Sequence, residues 1–88
     1  VPYIPKEDRR HYENLLTSLA NRICANTDSK SRAGHLNYAI SRLLALMPAN
    51  RYRDYNELMG VLECAKLEFY RTKVAPYENK KRRRHGDV

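Results

Sequence analysis

The chain has 88 residues, 42% hydrophobic and 31% charged, with 17 Lys/Arg against 10 Asp/Glu for a net charge of +7. That length leaves room for one domain, residues 1–88, with a thin core that is marginal unless its helices pack well or its subunits associate, so homo-oligomerisation is expected. No apolar run nears the ~20 residues that cross a bilayer, and Val1-Pro2-Tyr3-Ile4-Pro5 lacks a basic stretch followed by an apolar one, so no membrane partner and a cytoplasmic location are expected.

The mean hydropathy of -0.79, set against that apolar fraction, is the balance of amphipathic helices. A first helix is expected over about 6–25. Pro5 suits a helix start, Glu7 and Asp8 suit the dipole, and Tyr12, Leu15, Leu16, Leu19 and Ile23 recur at three- and four-residue steps. The polar stretch Asn26 to Ser31 reads as a mobile loop. A second helix follows from Ser31 or Gly34 to Met47, on Leu36, Ile40, Leu43, Leu44 and Met47, with Pro48 blocking continuation. The short connection Pro48-Ala49-Asn50 then predicts an antiparallel pairing of the second and third helices.

The third helix is predicted from Asp54 as N-cap, with Glu57 completing a capping box, through Tyr55, Leu58, Leu62, Ala65 and Phe69. Pro76 interrupts the continuing pattern, so a kink is expected near residues 72–76, with the helix resuming to about Arg83. Gly60 weakens a helix interior, which close approach of another helix, or of a ligand, would explain, helix packing being the preferred cause. The fold class is therefore all-α: three helices, a helical hairpin with a long third helix kinked near Pro76, and the first helix packed across it.

Cys24 and Cys64 sit on separate helices and read as core or near-core thiols, while His11, His35 and His85 are scattered, so neither a metal site nor a cofactor is expected. Glycine-rich phosphate loops and nucleophile or zincin motifs are missing, and no enzyme is expected. Binding chemistry is better represented. Asn37, Tyr38 and Arg42 flank the apolar stripe of the second helix, and Arg53, Tyr55 and Asn56 open the third. Glu63, Lys66, Tyr70 and Arg71 lie further along it. Guanidinium groups bind phosphate bidentately, tyrosines stack on bases and amides read base edges, so these ten are candidate ligand residues. A solvated Glu63–Lys66 pair and arginines at a helix start are the simpler alternative.

Residues 80–88 form a basic C-terminal tail. Residues 1–79 hold 12 basic and 9 acidic side chains, whereas residues 80–88 hold five basic and one acidic. Lys80, Lys81, Arg82, Arg83 and Arg84 could therefore contact nucleic acid, although a helix end also favours bases and no known DNA- or RNA-binding motif accompanies them.

Several segments carry a family resemblance: Pro2-Tyr3-Ile4, Leu36-Asn37-Tyr38-Ala39-Ile40-Ser41-Arg42-Leu43, Asp54 to Glu57 with Gly60 to Arg71, Val74-Ala75-Pro76-Tyr77-Glu78, and Gly86-Asp87-Val88. The chain resembles a set of small phage and prophage proteins, mostly described as a domain of unknown function. It departs from that pattern at Arg82-Arg83-Arg84-His85, where a less basic stretch is usual. The phage setting implies a host-defence context in a prokaryotic cytoplasm. By analogy with compact helical phage proteins, the expected function is sequestration, without catalysis, of a nucleotide-derived immune signal: a cyclic oligonucleotide or ADP-ribose derivative. The alternatives are a nucleic-acid-binding accessory protein using the basic run, and an inhibitor docking on a host enzyme.

Overall fold

Apolar residues repeating every three or four positions fold as helices throughout the computed structural model, which describes residues 2–25, 28 and 30–88. Val1, Asn26, Thr27 and Ser29 lie outside the described residues, and with them much of the expected loop. The helices are α1 (Lys6–Ala25), α2 (Arg32–Leu46), α3 (Tyr52–Phe69) and α4 (Ala75–His85), with α3 running into α4 through a π-helical turn, Tyr70–Val74. Thus the long third helix of the sequence is α3, the π-turn and α4 in succession. The chain divides into two compact units, one Tyr3–Ala49 and the other including Asn50–Val88.

In the first unit, the Pro5 carbonyl accepts the Asp8 and Arg9 amides at 3.0 and 3.2 Å, starting α1 where proline fixes the first turn. The Arg9 Nε donates to the Ile4 carbonyl at 2.9 Å. Ahead of α2 the Asp28 carboxylate accepts the Lys30 amide at 3.0 Å, and the Ser31 amide and hydroxyl at 2.9 and 3.0 Å. Within this unit α1 contacts α2. The expected pairing of the second helix with the third joins helices of different units, and Met47, at φ -74 and ψ 136, leaves α2 extended.

The second unit starts three residues earlier than the sequence suggests. Arg51, not Asp54, is the N-cap of α3, and Asp54 is the third helical residue, its carboxylate accepting the Arg51 and Asn50 amides at 3.2 and 3.3 Å. A carboxylate one turn inside a helix can satisfy the amides that precede it, which is why Asp54 serves the helix start from this position.

The expected core is the largest correction. None of the described residues is buried, and the apolar stripes are open: Leu15 is 69% exposed, Leu43 57% and Phe69 62%. Cys24 and Cys64, expected in a core, are exposed. Within its own unit a Cβ at Gly60 would meet nothing within 4 Å. Two helices side by side, or one continuous helix, have no second layer to enclose a side chain.

Candidate ligand-binding site

The chemistry of the second unit centres on its π-turn. Pro76 has no amide hydrogen, and its ring crowds the carbonyl four residues back, so a regular α-helix cannot pass through residues 72–76 undisturbed. The backbone widens instead. The Ala75 amide donates to the Tyr70 carbonyl, five residues back, and the Thr72 hydroxyl donates to the Glu68 carbonyl at 2.8 Å. Pro76 then stands in the first turn of α4, where no amide donor is required.

The wider turn changes which side chains share a face. In a regular α-helix residues eight apart are about 80° out of line, whereas residues seven apart are within about 20°. A turn closed five residues back holds one extra residue, so Tyr70 and Glu78 occupy the relative place of a seven-residue pair. The Tyr70 hydroxyl accordingly donates to the Glu78 carboxylate at 2.6 Å. That bond, followed by the carboxylate's negative charge, raises the Tyr70 pKa above its ordinary 10.0.

At the far end, Gly86 turns the chain with φ 91, a left-handed conformation that glycine adopts at little cost, and its amide caps α4 on the Arg82 carbonyl at 2.8 Å. The reversal brings the Asp87 carboxylate to 3.0 Å from the Arg82 Nε. The ammonium of Lys81, one turn after Tyr77, lies 5.6 Å from that ring's centroid. Between the π-turn and the reversed C-terminus lies a concavity of about 650 Å³, with Tyr70, Tyr77, Glu78, Lys81, Arg82 and His85 in its lining. It offers aromatic surface, an ammonium, a guanidinium and an imidazole, with one carboxylate engaged by Tyr70 and the arginine engaged by Asp87.

Of the ten ligand residues proposed from sequence, Tyr70 alone lines this concavity. Asn37, Tyr38 and Arg42 belong to α2 in the first unit, where the Ser41 hydroxyl donates to the Asn37 side-chain oxygen at 3.1 Å and Tyr38 is 68% exposed. The other seven are spread along the second unit. Tyr55 and Tyr70 stand about 22 Å apart along the helix axis, and Arg53 and Arg71 about 27 Å, too far for one nucleotide to bridge. Glu63 and Lys66 form an exposed pair at 3.1 Å. Arg71 donates to Glu68 at 2.6 Å. Asn56 and Tyr55 sit one turn into α3.

The basic run is helical as far as His85, so Lys80, Lys81, Arg82, Arg83 and Arg84 fan around α4 and do not line up on one face. Lys81 and Arg82 face the concavity. Tyr77 is not among the candidates drawn from sequence, and His85 enters there only as the end of the basic run. Two signals point to them: the four-residue ladder Tyr77, Lys81, His85, and glycine placed after a basic helix end.

Among the described residues there is no cluster of three or more His, Cys, Asp or Glu able to hold a metal ion, and no helix is long and apolar enough to cross a membrane. No curated protein and no solved structure matches the chain. A family model does match, over residues 1–88, and the chain belongs to that family, described as a domain of unknown function (DUF6899).

Proposed function

We propose that this is a phage-encoded anti-defence protein that sequesters a nucleotide-derived immune signal, a cyclic oligonucleotide or ADP-ribose derivative, in the cytoplasm of a prokaryotic host and without catalysis. The observation that carries the reading is the concavity of the second unit, where Tyr70 and Tyr77 supply aromatic surface beside Lys81, Arg82 and His85. Its volume of about 650 Å³ falls in the range of small-molecule sites. Tyrosine faces accept a base by stacking, and the cations accept phosphate; a sequestering protein needs these contacts and no bond-breaking group. On this reading Tyr70 is retained from the candidates drawn from sequence, and Lys81 and Arg82 move from nucleic-acid contacts to ligand contacts.

The test is a thermal-shift screen of the purified protein against cyclic dinucleotides, cyclic trinucleotides and ADP-ribose derivatives, with random-sequence DNA and RNA as comparators. A bound ligand at 100 times its dissociation constant stabilises the fold by about 2.7 kcal/mol. The expected result is a shift with one nucleotide class, weakened by Lys81→Ala and Arg82→Ala and strengthened by Asp87→Asn, which releases the Arg82 guanidinium. Shifts with DNA and RNA alone, falling steeply with salt, would transfer the function to the basic run. No shift with any nucleotide would transfer it to inhibition of a host protein.

A further inference from the structure

Resting on the sequestration reading, we infer that the base taken up by the concavity of the second unit is guanine, selected by the Glu78 carboxylate. The ligand is then a guanine-bearing cyclic oligonucleotide and not an ADP-ribose derivative. Glu78 lines the concavity, and among the described residues no Lys, Arg or His forms an ion pair with it. The two cations that a helix sets beside it, Lys81 three residues on and Arg82 four, are turned elsewhere. The Lys81 ammonium lies 5.6 Å from the Tyr77 ring centroid, and the Arg82 Nε lies 3.0 Å from the Asp87 carboxylate. Glu78 is held instead by a neutral donor, the Tyr70 hydroxyl, at 2.6 Å.

A carboxylate that no cation neutralises is an acceptor with two oxygens and no donor, and it selects for a partner rich in donors. Guanine presents two donors side by side on its Watson–Crick edge, N1–H and the exocyclic amino group, and meets both oxygens at once. Adenine and cytosine set a ring-nitrogen lone pair against the carboxylate beside a single amino donor. Uracil offers one N–H flanked by two carbonyls. The Tyr70 bond fixes the carboxylate from one oxygen without exhausting it, since the pair of oxygens accepts about four bonds, so the acceptor is oriented before a base arrives.

The order of groups along α4 matches such a ligand. Tyr77, 61% exposed, and Glu78 stand in its first turn, Lys81 and Arg82 follow about 6 Å further along the axis, and His85 comes last. All of them line the concavity. Tyr77 with Lys81, and Glu78 with Arg82, are four residues apart, so two adjacent rows each run from a base-binding group to a cation. A nucleotide runs in the same order, from base through sugar to phosphate. A ribose hydroxyl is another donor that a carboxylate can take, but Glu78 stands at the aromatic end, next to Tyr77 in the chain and bonded to Tyr70, where the base belongs.

The experiment is isothermal titration calorimetry of the full chain with cyclic di-GMP, cyclic di-IMP and cyclic di-AMP, which share sugars and phosphates and differ only in the bases, and with ADP-ribose. Cyclic di-GMP should bind at least about tenfold tighter than cyclic di-AMP, with cyclic di-IMP, which lacks the exocyclic amino group, between them. Glu78→Gln keeps an oxygen for Tyr70 but sets an amide donor against the donors of guanine, and it should remove most of that preference. Equal binding of the three, tighter binding of cyclic di-AMP or ADP-ribose, or a guanine preference that survives Glu78→Gln would overturn the selection by Glu78 and leave sequestration standing. Binding of none of these and of no other nucleotide would overturn the sequestration reading itself, and guanine selection with it.

Discussion

The two units solve different problems with the same secondary structure. The first sets two helices side by side and leaves its leucines open, with polar bonds concentrated at the helix starts, around Pro5 and Asp28. The second is a helical run whose polar bonds lie along its length: Glu63–Lys66, Glu68–Arg71, Tyr70–Glu78 and Arg82–Asp87. Amphipathicity in the first directs an apolar stripe at a missing layer. In the second, a break in helical periodicity turns polar side chains towards one another. Helices of this kind are shaped less by propensity than by what each face has to meet.

The largest effect should come from thinning the open stripe. Leu16→Ala and Leu19→Ala remove side chains from a face that, once covered, behaves as a core. Each is expected to cost 2 kcal/mol or more in urea unfolding, the usual range being about 2–5 kcal/mol for buried leucine. A cost near 0.5 kcal/mol, typical of surface positions, would place the stripe in solvent and erase the contrast between the units.

A smaller effect of opposite sign is expected at Gly60, where a Cβ would meet nothing within 4 Å. Gly60→Ala should stabilise α3 by up to about 1 kcal/mol, read as a rise in Tm. Destabilisation would reveal that this point of α3 meets a close neighbour.

The smallest effects separate the units by pH. Hydrogen bonds from the Ser31 amide, then from the Ser31 hydroxyl, lower the Asp28 pKa below 3.8. The stabilisation from that carboxylate is therefore present above the ordinary aspartate value and is lost as pH falls through the lowered one. Asp28→Asn should flatten the acid limb of the stability profile. Tyr70 responds at the other end: its raised pKa means that its neutral form is favoured in the fold, a contribution present below pH 10 and lost as pH rises through the higher value. Ultraviolet titration should show one late tyrosine, and Glu78→Gln should return it to the ordinary range. A wild-type protein with no late tyrosine would remove the Tyr70–Glu78 bond from the site.

Much of the fold was legible because helical periodicity is a local property. The stripes on α1 and α2 appear in the spacing of leucines, and the break in the third helix appears in Pro76, since a missing donor and a ring clash act within one turn. The start of α3 was displaced because Asp54 can act as a cap or as the partner of an earlier cap, and spacing to Glu57 alone does not separate the two. The concavity was harder to see. One uninterrupted helical period sets Glu78 out of line with Tyr70, whereas the π-turn holds one extra residue and brings Glu78 round to Tyr70.

By itself the sequence determined the helical class, the break at Pro48, the apolar stripes and the basic end, because each follows from side-chain type and short-range backbone constraint. Tertiary structure alone decided that α1 lies against α2, that no side chain among the described residues is buried, and that Tyr70, Lys81 and Arg82 border one concavity. The concavity depends on a π-turn that shifts angular register and on a left-handed glycine that turns the chain end back, and both act between residues that no fixed helical period places together.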